Sequence, residues 1–166
     1  CDGFFYRNKD VVVVGGGDTA MEEAMYLSKM CNSVTVIHRR DTLRASKTMA
    51  DRALANPKIQ FEWNAEVYEI KDLSLNKVTG IVLKNTIDGS LKELKCDGVF
   101  VAIGHTPNTK LFVNQLPMDD NGYLLTKGVK TPVEGCFAAG DVWDTHYRQA
   151  ITAAGMGCQA AIEAIN

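Results

Sequence analysis

Gly15-Gly16-Gly17-Asp18-Thr19-Ala20 follows directly on the apolar run Val11–Val14. Small residues at its first, third and sixth places suit a turn that lays backbone against a pyrophosphate. Gly15 permits the tight turn, Gly17 lets the backbone approach the anion, and Ala20 lets a helix pack close to the strand. The amides at the start of that helix, around Asp18 and Thr19, then face the negative charge. Alone, a G-x-G-x-x-A pattern is weak. Between an apolar strand and an amphipathic helix it has the context that gives it meaning. The competing explanation is a strand–turn–helix that merely needed small residues.

A second apolar run, Val34–Ile37, ends in His38-Arg39-Arg40, with Arg44 close behind. In NAD binders an acid at this place accepts the ribose 2′-hydroxyl, and in NADP binders an arginine replaces it. Here the strand ends on cations and no acid, and guanidinium forks match phosphate oxygens in bidentate fashion. The pattern points to NADPH rather than NADH. The alternative is a solvated basic turn, the usual fate of a charge run.

Two further groups stay open on spacing alone. Gly140-Asp141-Val142 puts an acid at the end of an apolar run, where it could bond a ligand hydroxyl or simply cap a helix. Arg148-Gln149-Ala150 opens a small-residue helix whose positive end could face an electron-rich ring. Cys1-Asp2 carries no information by itself.

The elements that must hold these residues follow from periodicity. Val11–Val14 reads as a buried strand, residues 18–30 as a helix with apolar Ala20, Met21, Ala24, Met25 and Leu27, and Val34–Ile37 as a second strand. So short a strand–helix–strand unit must be parallel with a right-handed crossover. Asp41 is placed to cap a helix over residues 42–55, which Pro57 ends, and Ile59–Trp63 reads as a third strand. Residues 67–70, 78–83 and 91–94 alternate apolar and polar, with a tight turn at Asp88-Gly89. They form an antiparallel meander inserted in the parallel sheet. Val99–Gly104 returns to the pattern of a central strand. Turn chemistry at residues 105–109 marks a boundary, beyond which strands are expected at 123–126 and 136–141 and a helix from about Arg148 to Ile165.

With 166 residues, 46% of them apolar and 23% charged, the chain has the composition of a globular domain able to bury a core. A net charge of −2 suggests neither a nucleic-acid nor a membrane surface. No apolar stretch approaches the roughly 20 residues of a membrane span, and no signal peptide is seen. Five scattered cysteines argue against a disulfide framework or a zinc site and for a reducing cytoplasm, with four of them expected to be buried. No metal site is expected. The chain opens without an initiator Met, on a reactive-looking residue, so a fragment is expected.

Taken together, these motifs resemble the low-molecular-weight, bacterial type of thioredoxin reductase. The resemblance runs through Cys1-Asp2-Gly3-Phe4-Phe5, the glycine turn, His38-Arg39-Arg40-Asp41-Thr42-Leu43-Arg44, Ala102-Ile103-Gly104-His105-Thr106-Pro107-Asn108-Thr109, Ala138-Ala139-Gly140-Asp141-Val142 and Tyr147-Arg148-Gln149-Ala150. It implies a flavoenzyme, a homodimer when intact, that passes electrons from NADPH to FAD, to a Cys-x-x-Cys pair and then to thioredoxin. By motif, Arg39, Arg40 and Arg44, with His38 beside them, would hold the 2′-phosphate. Gly17 and Thr19 would line pyrophosphate and ribose, with Ile103 in the same cofactor set. Asp141 and Val142 would meet the flavin ribityl side, and Arg148, Gln149 and Ala150 the isoalloxazine. Cys1 would be the second redox cysteine and Asp2 its proton-handling acid.

The same resemblance makes the fold α/β. Residues 1–104 would be a Rossmann-like NADPH-binding domain, and residues 105–166 the C-terminal segment of an FAD-binding domain, with a hinge strand near Gly104-His105-Thr106. The first cysteine of the pair and the FAD glycine fingerprint do not occur in these residues, so weak FAD binding and no activity alone are expected. The competing classes are a related flavoprotein (a ferredoxin–NADP reductase or a peroxide-system reductase), for which Cys1 has no use, and a non-catalytic NADPH-binding module. The apolar tail argues against the module. A methyltransferase is disfavoured because its cofactor has no phosphate for the arginines.

Overall fold

The computed structural model describes residues 2–165. The chain divides between Gly104 and His105 into two compact units.

The first unit runs β1 (Asp10–Val14), α1 (Asp18–Ser28), β2 (Ser33–His38), α2 (Lys47–Leu54), β3 (Ile59–Trp63), β4 (Ala65–Ile70), β5 (Gly80–Asn85), β6 (Leu91–Lys95) and β7 (Gly98–Val101). Four strands make a parallel sheet in the order β3-β2-β1-β7, and β4-β5-β6 make a separate antiparallel sheet. The β-branched runs of β1 and β2 are apolar at successive positions because both faces of the parallel sheet are covered. Val11, Val13, Val34 and Val36 pack with Ala20, Met21, Ala24 and Leu27 of α1. Val12 and Ile37 point the other way, against Ala65, Ile81, Leu83 and Cys96 of the meander. Met21 and Leu27 are wholly buried; each such side chain stabilises the fold by about 1.5–3 kcal/mol through burial. Leu27→Ala would cost about 2–5 kcal/mol, since it also leaves a cavity.

Two elements of this unit differ from the sequence reading. α2 begins at Lys47, with Ser46 at its N-cap position, and not at residue 42 after Asp41. Residues 39–46 are instead drawn back over the glycine turn, because the amides of Arg44 and Ala45 both donate to the Gly16 carbonyl (2.7 and 3.1 Å). β7 is an edge strand paired only with β1, and it stops at Val101; Val101 and Ile103 are each 67% exposed. An apolar run does not by itself tell a central strand from an edge strand that lacks a neighbour. The meander forms with its turn at Asp88-Gly89, where Gly89 takes φ +74°.

The second unit has little regular structure: 3-10 turns at Lys110–Phe112 and Gly140–Val142, isolated bridges, and α3 (Ala150–Ile165). The strands expected at 123–126 and 136–141 reduce to the single bridges Met118↔Leu124 and Lys130↔Phe137. Their apolar runs find no ladder partner among the described residues of this unit, and a strand exists only by pairing. α3 starts two residues later than expected and has no buried residue. Cys158, on that helix, is therefore exposed and Cys136 only half-buried; of the four cysteines expected to be buried, Cys31 and Cys96 are. No helix among the described residues is long and apolar enough to cross a membrane, and no acid, His and Cys cluster there could hold a metal.

Candidate functional site

At the carboxyl ends of β1, β2 and β7 the first unit opens a cleft of about 390 Å³. The glycine turn forms its floor. Gly15 has φ +149°, and a Cβ there would fall on the Ala102 carbonyl and 2.8 Å from the Ala20 Cβ. Gly15 and Ala20 thus serve the close approach of β1, α1 and the strand-end at 102. Gly17 differs: a Cβ there would meet nothing within 4 Å, and its φ of −97° suits any residue. The space above Gly17 is open, as an anion cradle at the start of α1 requires.

The wall of the cleft includes Thr19, Ile37, His38, Arg39, Arg44, Glu66 and Ile103. Arg39, Arg40 and Arg44 are exposed, and none is ion-paired among the described residues. Arg39 and Arg44 face the cleft with the glycine turn, whereas Arg40 does not line it. The Arg40 backbone is used instead: its carbonyl accepts the Asn64 amide at 3.2 Å.

His38 is 4% exposed. Its Nε2–H donates to the Thr42 carbonyl at 2.9 Å, and its ring meets Trp63 edge-on. Burial holds the imidazole below its ordinary pKa; the Thr42 bond opposes this, and the charges of Arg44, Arg40 and Arg39 add to the lowering. The ring lies on Gly16, where a Cβ would collide with Cε1 and Nδ1. Asp18 does not line the cleft: its Oδ1 accepts the Ser46 amide at 2.8 Å and the Ser46 hydroxyl at 2.9 Å.

In the second unit a smaller cavity, about 200 Å³, is lined by residues 105–108, Tyr123, Asp141, Val142 and Arg148. Asp141 is exposed in the 3-10 turn. Arg148 is not helical; it sits at φ +48°, a left-handed conformation uncommon for its type. What holds it there is Asp144, 4% exposed, whose carboxylate accepts the amides of His146 and Tyr147 at 2.9 Å and of Arg148 at 3.0 Å. Those bonds, led by Tyr147, hold its carboxyl below the usual carboxylate range. The Arg148 guanidinium lies over the Tyr123 ring and donates from Nη2 to the Tyr123 hydroxyl at 2.6 Å. Arg148 Nε and Trp143 Nε1 are buried without partners among the described residues. Gln149 is exposed, and its amide and carbonyl both bond the Thr152 hydroxyl at the start of α3; Ala150 is exposed.

Asp2 is exposed in the 3-10 turn Asp2–Tyr6, and Cys1 lies outside the described residues. Tyr6 fastens that turn to β7: its ring fills the space a Gly98 Cβ would take and meets Phe100 edge-on at 5.1 Å. Gly16, Ser46, Tyr123 and Asp144 do positioning work that sequence reasoning passed over. A glycine beyond what the fingerprint needs, and an acid a few residues before a helix, were the available signals.

A family sequence model described as pyridine nucleotide-disulphide oxidoreductase matches residues 1–157. The chain belongs to that family. It is 57% identical over 166 residues to a thioredoxin reductase of Streptomyces clavuligerus, covering 99% of this chain and 51% of the relative. A thioredoxin reductase of Rickettsia typhi is 52% identical, with 98% and 54% covered. A protein named glucosaminate ammonia-lyase from Pseudomonas fluorescens is 55% identical over 172 residues, with 98% and 53% covered. Among solved structures, thioredoxin reductase from Streptococcus pyogenes superposes with TM-score 0.89 at 40% identity, covering 99% of this chain and 54% of that one. That from Giardia duodenalis gives 0.84 at 41%, with 99% and 54% covered. The α/β architecture of a parallel sheet with an antiparallel companion is thus the family's. The chain spans about half the length of the relatives it matches.

Proposed function

We propose that this chain is the NADPH-binding part, with a portion of the FAD-binding part, of a thioredoxin-disulfide reductase. The observation that carries the coenzyme reading is one cleft in which an open glycine cradle and two unpaired guanidinium groups meet. A dinucleotide needs both: amides for its pyrophosphate and cations for a 2′-phosphate. In this reading residues 1–104 are the NADPH domain. Gly17 and Thr19 receive pyrophosphate and ribose, and Arg39 and Arg44 receive the 2′-phosphate, with Arg40 adding its charge from outside the lining.

Residues 105–166 then supply part of the flavin site. The fit there is partial but chemically apt. Asp141 has no intramolecular partner for its carboxylate among the described residues and can accept from a ribityl hydroxyl. Arg148 is held in place by Tyr123 and Asp144, with Gln149 and Ala150 beside it at the helix start. A bound flavin supplies the capacity to take up a hydride and to reduce a disulfide. By the resemblance, Cys1 would be the exchanging thiol of the redox pair, and Asp2 would move the proton that thiol exchange requires. The support for thioredoxin as partner is the relatives' names and the quoted motifs; a homodimer is what the resemblance implies, and a cytoplasmic setting rests on the scattered cysteines.

Calorimetric titration of the 166-residue chain with NADPH and NADH tests the coenzyme reading. NADPH should bind at least about tenfold tighter, and equal affinities refute the reading. NADPH-dependent reduction of thioredoxin by the full-length protein, lost in Cys1→Ser, tests the disulfide chemistry. Turnover that survives in Cys1→Ser refutes it.

A further inference from the structure

We propose that Gly16, Asp18 and His38 form a clasp that fixes the arginine loop on the glycine turn, and that this register sets the preference for a 2′-phosphate. The inference rests on the coenzyme reading above and assigns Asp18 and His38 a positioning role in place of direct contact.

Residues 39–46 carry three exposed cations and no regular structure. Like charges on an irregular loop spread apart unless something gathers them, and a bidentate contact tolerates little misplacement. Three ties gather this loop. The Gly16 carbonyl accepts two amides, one from Arg44 itself. Asp18 Oδ1 accepts two donors from Ser46. His38 reaches Thr42 through Nε2 while its ring rests on the Cα of Gly16. Every tie ends on the glycine turn or on the strand beside it. The distance from the pyrophosphate cradle to the backbone that carries Arg44 is therefore built into the protein before any nucleotide arrives. The far end of the loop is tied too, by the Asn64 amide to the Arg40 carbonyl and the Thr86 hydroxyl to the Arg39 carbonyl (each 3.2 Å).

Asp18 separates this idea from plain electrostatics. A carboxylate at the first turn of α1, beside an anion cradle, repels phosphate. Removing it should strengthen nucleotide binding if charge is what counts. It should weaken discrimination if its bonds to Ser46 are what count. Asn at this position keeps the acceptor and drops the charge.

The experiment is calorimetric titration of the chain and of Asp18→Ala and Asp18→Asn with NADPH and NADH, with thermal melts to show that both variants fold. Asp18 is exposed, so neither substitution opens the core. Asp18→Ala should lower the NADPH-to-NADH affinity ratio about tenfold, the loss expected when two hydrogen bonds no longer hold the loop. Asp18→Asn should keep the ratio within about threefold. A ratio unchanged or raised in Asp18→Ala overturns the clasp, as does an equal fall in both variants. Equal affinity of the unaltered chain for the two dinucleotides overturns the coenzyme reading and takes the clasp with it. A preference in the unaltered chain whose ratio Asp18→Ala leaves unchanged removes the clasp alone.

Discussion

Gly17→Ala separates binding from folding at a single atom. In the folded protein the added methyl meets no atom within 4 Å, and the backbone at φ −97°, ψ −177° suits alanine. Restricting the unfolded chain stabilises by about 0.4–1 kcal/mol. Gly17 is also the N-cap of α1, where alanine is worse than glycine by roughly 0.5–1 kcal/mol. The two effects oppose and nearly cancel. Net stability should stay within about 1 kcal/mol, a change in Tm of no more than about 4 °C. In the proposed coenzyme site, however, the methyl occupies the space a pyrophosphate oxygen would enter. Losing one charge-assisted hydrogen bond there costs about 1.5–3 kcal/mol, roughly a ten- to hundredfold loss of NADPH affinity. The assay is paired: a thermal melt without nucleotide and a calorimetric titration with NADPH. Unchanged affinity would show that no phosphate approaches Gly17. A Tm drop well beyond the stated range would show that the open space above Gly17 is structural after all.

Gly15→Ala should behave oppositely, because the new methyl strikes Ala102 and Ala20 at a φ of +149°. Its urea midpoint should fall by an amount corresponding to at least about 1–3 kcal/mol, and a wild-type midpoint would contradict the packing described. Arg44→Ala should lose about 1.5–3 kcal/mol toward NADPH and little toward NADH, measured by titration; its backbone tie to Gly16 remains. His38 has a folded pKa below the unfolded value of 6.5, so the unfolded chain takes up the proton first. Stability from this group is complete above about pH 6.5 and falls as pH drops from there toward the folded pKa. Urea midpoints across that range should decline less steeply in His38→Gln, and parallel profiles would refute the assignment. Asp144→Ala should release the loop at residues 146–148, seen as faster amide exchange at those residues; unchanged exchange would refute its role.

Local pattern carried the first unit well because β-branched runs, a glycine turn and a charged strand end are all short-range signals. β1, α1, β2 and the meander fall where their periodicities place them. The start of α2 was not legible, since residues 42–46 are held out of helix by bonds to Gly16 and Asp18, which lie nearly 30 residues back in the chain. The runs at 123–126 and 136–141 look like strands because their apolar pattern is that of strands; what they lack is a neighbour to pair with. Cys158 misled for a like reason, its helix being apolar but too lightly packed in its own unit to bury any residue. Of the site, the residues that could touch nucleotide were readable by type. The residues that aim them, Gly16, Ser46, Asp144 and Tyr123, act through contacts across the chain that no spacing encodes.

The parallel sheet stops at β7, and among the described residues no strand pairs with its outer side. A row of backbone donors and acceptors beside a two-thirds-exposed valine is an invitation to stacking between copies during concentrated expression. Anyone purifying this polypeptide by itself should expect that rim, ahead of the buried centre, to govern how long it remains in solution. A lysine in place of Val101 is the remedy the geometry suggests.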